Sequence, residues 1–113
     1  MERQELEKLT RDYQMIQEQL QALAVQKEQF SIQKEEHKEA IQEIEKSAGK
    51  IYYSIGGVIV ETPKTEAVSK IKERQESIEM RLTIVNKQYD EFSKKEKSLR
   101  EEITNALKGQ KTQ

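Results

Sequence analysis

The sequence predicts an all-α dominated fold: a long antiparallel two-helix coiled coil with one β-hairpin at its centre. Three observations lead there. Two heptad runs of similar length flank a single stretch, Lys50 to Thr62, that reads as strand-turn-strand. The chain is also unlike an ordinary globular domain, since 36% of its 113 residues are charged and only 34% fall in the hydrophobic set, with no Trp and one Pro. That is too little apolar material for a three-dimensional core, but it suits the one-dimensional seam of a coiled coil. The chain therefore reads as one domain spanning 1–113, with helix 1 over about 3–48, the hairpin over 50–62, helix 2 over about 63–108 and a frayed tail at 109–113.

In the first helix, apolar residues recur at alternating spacings of three and four from Leu6 and Leu9 through Tyr13, Ile16, Leu20 and Leu23, then at Phe30, Ile41, Ile44 and Ala48. This is a heptad pattern. Lys27, Lys34 and His37 occupy seam positions, where polar side chains weaken the interface locally but help to fix its register. Gly49 follows the last heptad residue and suits the left-handed position that ends a helix.

The hairpin follows from KIYYSIGGVIVET. Two short β-branched and aromatic runs, Ile51 to Ile55 and Val58 to Thr62, enclose Gly56-Gly57, and glycine reaches the positive φ of a type I′ or II′ turn without steric cost. The two-residue loop sets Ile55 opposite Val58 and Tyr53 opposite Val60. Ile51, Tyr53, Ile55, Val58 and Val60 then share one face, and Tyr52 and Ile59 make the other partly apolar. A lone two-stranded hairpin is marginal in water, and the flanking segments are too polar to wrap it. The expected cover is the same hairpin from other chains.

Beyond the hairpin, Thr62 is the expected N-cap with Pro63 at the first helical position and Glu66 in the favourable first turn. The second heptad run takes Val68, Ile71, Ile78, Leu82, Val85, Tyr89, Phe92, Leu99, Ile103 and Ala106, with Gln75 and Glu96 as polar seam positions, and Gly109 is the expected stop. One antiparallel register sets each a position against a d position: Leu6 with Ala106, Leu9 with Ile103, Tyr13 with Leu99, Leu20 with Phe92, Leu23 with Tyr89, Phe30 with Leu82, Ile41 with Ile71 and Ile44 with Val68. The same register opposes His37 to Gln75, a coincidence of two polar residues in one layer. Charge supports the pairing too, because residues 1–48 carry 7 Lys/Arg against 11 Asp/Glu and residues 63–113 carry 12 against 9. Each helix of roughly 45 residues would extend about 65 to 70 Å at ~1.5 Å rise per residue.

Catalysis has no support in these residues. His37 is a seam residue, Gly56-Gly57 lacks the Lys-Ser/Thr and following helix of a phosphate loop, and the carboxylates Glu35, Glu36, Glu39, Glu43 and Glu45 read as a solvated helix face. The chain is read as no enzyme, with no cofactor, no metal site and no catalytic residue. Zero cysteines leave no disulfide framework and no thiolate zinc site. Neither half is basic enough for a nucleic-acid stripe, no window approaches a membrane span, and the N-terminal MERQELEKL lacks a signal peptide's apolar stretch. A cytoplasmic location is the default. Off the seam, Met15, Ala22, Val25, Ile32, Met80 and Ile84 are apolar; scattered exposed apolar residues are normal, and the functional alternative is an adaptable surface for unfolded chains.

The layout as a whole, and most specifically KIYYSIGGVIVETPKTEAV followed by ESIEMRL, resembles the β-type subunit of prefoldin, its archaeal form most, since the chain has short tails and ends in ALKG plus a few residues. One hairpin rather than two matches the β type. The resemblance implies an α2β4 heterohexamer of prefoldin α-type subunits and β copies, whose hairpins join into a double β-barrel platform carrying six coiled coils. It implies an ATP-independent chaperone, a holdase that captures non-native polypeptides at the coil tips and delivers them to a group II chaperonin. On this sequence the oligomerisation residues would be Ile51, Tyr52, Tyr53, Ile55, Val58, Ile59 and Val60. The client-binding residues would be Leu6, Leu9, Tyr13, Leu99, Ile103, Ala106 and Leu107, with Lys108 and Lys111 as chaperonin contacts. The competing reading is a structural coiled-coil adaptor or spacer that binds one folded partner through helix-in-groove contacts.

Overall fold

The computed structural model of the chain describes residues 2–111, with the side chains of Gln110 and Lys111 left outside the description. Four elements follow in order: α1 (Arg3–Lys46), β1 (Ile51–Ile55), β2 (Val58–Thr62) and α2 (Lys64–Lys111). Two long helices and one two-stranded antiparallel hairpin are the architecture the heptads and the Gly-Gly turn predict. By packing, the residues form two compact units, one made of 1–27 with 84–113 and the other of 28–83.

In the first unit the heptad residues turn inward as their spacing requires. Leu23 and Val85 are buried, and Leu6, Leu9, Tyr13, Ile16, Leu20, Tyr89, Phe92, Leu99, Ile103 and Ala106 are half-buried. The polar seam positions find partners near their layers. The Tyr13 hydroxyl donates to Glu96 Oε1 at 2.9 Å, and the Lys27 ammonium sits 4.5 Å from the centre of the Tyr89 ring. Both contacts join residues within about one helical turn of the expected pairing.

The second unit holds the hairpin and the helix segments next to it in sequence. Ile78 is buried, while Phe30, Ile41, Ile44, Val68, Ile71 and Leu82 are half-buried, as are His37 and Gln75. Lys34 Nζ reaches Glu79 Oε1 at 3.7 Å, so this seam lysine also meets an opposite charge. The strand register pairs Ile55 with Val58, Tyr53 with Val60 and Ile51 with Thr62. Gly56 and Gly57 have φ of 55° and 84°, the two consecutive positive values of a type I′ turn. A side chain at either position would strain the left-handed backbone.

The ends of the helices differ from the sequence expectation. Helix α1 stops at Lys46 and leaves Ala48 exposed, and Gly49 is not among the positive-φ glycines. A left-handed glycine is unnecessary because other groups satisfy the last turn. The Ser47 N–H donates to the carbonyls of Glu43 and Ile44, and Lys64 Nζ donates to those of Glu45 at 2.7 Å and Ser47 at 3.1 Å. A cation is well placed at a helix C-terminus. Helix α2 starts at Lys64, with the Pro63 carbonyl accepting from the Ala67 N–H at 2.9 Å. Thr62 cannot cap it, since it ends β2 opposite Ile51 and its hydroxyl donates to the Val60 carbonyl. At the other end α2 runs through Gly109 to Lys111. A glycine in a helix costs about 1 kcal/mol, and without a left-handed turn it does not end one. Thr112 and Gln113, in the expected frayed tail, lie outside the described residues.

Candidate functional site

Two regions concentrate the candidate residues, and their side chains are disposed in opposite ways. On the hairpin, Tyr52, Ile55, Val58, Ile59 and Val60 are all exposed, from 46% at Val60 to 71% at Ile59. Strand alternation explains why both faces contribute, because a two-stranded ribbon has no neighbouring sheet to hide either one. Burying the part of each side chain that remains exposed would stabilise it by roughly 1 to 2 kcal/mol. This is a large apolar surface without a partner inside the chain.

The base of the hairpin differs from its tip. The polarity of the flanks suggests no cover from within the chain, yet Ile51 and Tyr53 are half-buried, and Thr62 and Ala67 are buried. The cover comes from the start of α2. Lys70 Nζ lies 4.7 Å and the Arg74 guanidinium 5.2 Å from the centre of the Tyr53 ring, and Arg74 Nη2 also donates to the Tyr53 hydroxyl. The aliphatic stems of such cations pack on an aromatic ring while their charged heads stay hydrated. Five of the seven expected oligomerisation residues are therefore open to a partner, and Ile51 and Tyr53 are partly occupied within the chain.

The expected client-contacting residues all belong to the first unit. Leu6, Leu9, Tyr13, Leu99, Ile103 and Ala106 are half-buried along its seam, whereas Leu107 stands out at 45% exposure. Lys108 is exposed on the last turns of α2. The Lys111 side chain lies outside the described residues. Within this seam Tyr13 and Glu96 form a small polar cluster: the Tyr13 hydroxyl also accepts from Gln17 Nε2 at 3.1 Å, and Arg100 Nη1 lies 3.7 Å from Glu96 Oε1. The hydrogen bond to the Glu96 carboxylate, aided by partial desolvation and by the charge of Glu96, holds the phenol above its ordinary value of 10.0. Glu96 is recognisable from the sequence as a polar seam position, but its partner lies a layer away and is not.

An open groove in the same unit was not foreseen. It has a volume of about 530 Å³ and is lined by Asp12, Met15 and Ile16 of α1 with Lys94, Lys95, Ser98 and Leu99 of α2. Of its lining, Ile16 and Leu99 are expected as seam residues and Met15 as an apolar residue off the seam, but nothing in the sequence gathers them with Lys94 and Lys95. His37, in the second unit, has its Nδ1 enclosed without a hydrogen-bond partner. Among the described residues no cluster of His, Asp and Glu is gathered to hold a metal ion, and no helix is long and apolar enough to cross a membrane.

Comparisons with known proteins cover nearly the whole chain. A family model described as "Prefoldin subunit" matches residues 7–110. The prefoldin subunit beta of Methanosarcina acetivorans is 38% identical over 96 residues, which are 83% of this chain and 82% of that one. That of Pyrococcus horikoshii is 37% identical over 94 residues, 81% of this chain and 80% of the relative. The crystal structure of the prefoldin beta subunit from Thermococcus strain KS-1 superposes with a TM-score of 0.85 at 31% identity, covering 91% of this chain and 92% of that one.

Proposed function

The chain belongs to the prefoldin family as a subunit of β type, and from that premise we propose that it is a holdase, not an enzyme: an ATP-independent chaperone that captures non-native polypeptides and delivers them to a group II chaperonin. The observation that carries the reading is the family match over residues 7–110, which spans both helices and the hairpin. The whole of 1–113 works as one prefoldin-like domain in the cytoplasm. Its hairpin joins those of α-type subunits and other β copies in an α2β4 assembly, through Tyr52, Ile55, Val58, Ile59 and Val60, with Ile51 and Tyr53 at the edge of the contact. The five exposed side chains support this, since a large apolar surface rimmed by polar residues favours a protein partner.

Clients bind at the terminal turns of the coil, through Leu6, Leu9, Tyr13, Leu99, Ile103, Ala106 and Leu107. Leu107 is already exposed, Leu99 borders an open groove, and the others become available when the end of the seam opens, as helix ends do most readily. Lys108 and Lys111 serve as chaperonin contacts. No nucleotide, cofactor or metal takes part. The test is light scattering during aggregation of several unrelated denatured proteins, with the chain co-assembled with an α-type subunit. A holdase protects several of them, whereas an adaptor for one folded partner protects none, and that second outcome would overturn the reading.

A further inference from the structure

We propose that the groove in the first unit is a charge-selective docking site for extended polypeptide segments in which large apolar residues are flanked by carboxylates. Its lining combines the apolar Met15, Ile16 and Leu99 with the cations Lys94 and Lys95, the hydroxyl of Ser98 and one carboxylate, Asp12. The inference rests on the holdase reading for the non-native state of the occupant, and it adds the chemistry that selects it. A volume of about 530 Å³ is enough for large side chains of an extended peptide to lie in an open groove. Met15 is 64% exposed although it is large and apolar. An unbranched, polarizable thioether adapts to different shapes, which suits a site meeting many sequences.

Two features distinguish this groove from the seam beside it. The seam residues Leu6, Leu9, Ile103 and Ala106 are half-buried against the opposite helix, so a client reaches them only when the coil opens. The groove is open with the coil closed. It also carries charge of predominantly one sign. Among the described residues Lys94 forms no ion pair, and the Lys95 ammonium lies 5.3 Å from the centre of the Phe92 ring rather than on a carboxylate. Against these two cations stands the single Asp12. Lysine is a compact charge on a flexible stem and imposes little geometry on its partner, so the selection is for the sign of the flanking charge and not for a sequence. Arginines in a fixed fork would have selected geometry instead.

The test uses the full-length chain in its assembled form and fluorescence anisotropy with two labelled unfolded peptides. Both carry the same Leu and Phe residues, one with Glu and the other with Lys on either side. At low salt the Glu-flanked peptide should bind about fivefold to tenfold more tightly, as two solvent-exposed ion pairs allow. The preference should shrink as salt is raised. Reversal of both charges, Lys94→Glu with Lys95→Glu, should invert it, neutralisation to Gln should abolish it, and Met15→Ala should weaken both peptides about equally. Equal affinity of the two peptides for the unaltered chain would overturn the proposal, as would a preference insensitive to the lysine changes. A changed assembly mass in the Gln variant without a change in peptide preference would assign the groove to a second copy of the chain and likewise overturn it. The two readings fail separately. Protection of clients without charge preference removes the groove alone, and charge preference without protection removes the holdase reading alone.

Discussion

Along β1 and β2 the large apolar side chains face water, whereas along the seam of the first unit they face one another. Both regions are built from regular apolar patterns, and the difference lies in how many faces each pattern has to cover. A heptad stripe occupies one face of a helix, and one antiparallel partner hides it. Leu23 is only 7% exposed on that account. A two-stranded ribbon has two faces and no neighbouring sheet, and the start of α2 covers only the base of one, at Tyr53. The seam is structurally complete within the chain and the hairpin is not. An incomplete element favours permanent assembly, and a complete but shallow one favours reversible opening.

The largest effect should come from making the hairpin polar. Ile55→Asp with Val58→Asp places two like charges directly opposite each other in the ladder and in the exposed surface. Assembly should be lost, read as a fall in mass by light scattering, while the helical circular dichroism signal of α1 and α2 remains. An unchanged mass would break the contrast between the two regions. The reciprocal change in the seam, Leu23→Ala, should lower stability by about 2 to 3 kcal/mol, towards the low end for buried leucines because a two-helix seam is only partly enclosed. It should appear as a shifted denaturant midpoint with the assembled mass unaltered in native buffer.

A smaller effect concerns the polar cluster of the seam. Because the Tyr13 phenol is held above 10.0 by its bond to Glu96, the bond's contribution to stability is fully present below the ordinary tyrosine value. It is lost as pH rises through the higher folded value. The difference in thermal midpoint between the unaltered chain and Tyr13→Phe should therefore be constant from neutral pH to about 10 and shrink above it. Comparing the two removes the titration of the other tyrosines. A difference that persists unchanged at high pH would mean that Tyr13 contributes by packing alone.

Much of the fold is legible in the sequence, and the reason is periodicity. The heptads name the seam residues of both helices, and Gly56-Gly57 fixes the strand register pair by pair. The element ends are less legible, because they depend on groups distant in sequence. Nothing near Ser47 announces that Lys64, 17 residues later, caps the last carbonyls of α1, and a Thr-Pro pair reads as a helix start until the ladder claims Thr62. For the sites, the exposed hairpin residues follow from strand alternation, whereas the cover over Tyr53 does not, since Lys70 and Arg74 read as solvated cations. Met15 is visible as an apolar residue off the seam, but Lys94 and Lys95 belong to a charged run and only the fold gathers them beside it.

If assembly belongs to the hairpin and client holding to the terminal turns of the coil, the two should separate. This is settled by client protection from a chain lacking residues 1–13 and 99–113, co-assembled with an α-type subunit and compared with the full-length complex at equal subunit concentration. The shortened complex should keep its stoichiometry by light scattering but no longer keep denatured proteins from aggregating. Full protection by the shortened chain would contradict it.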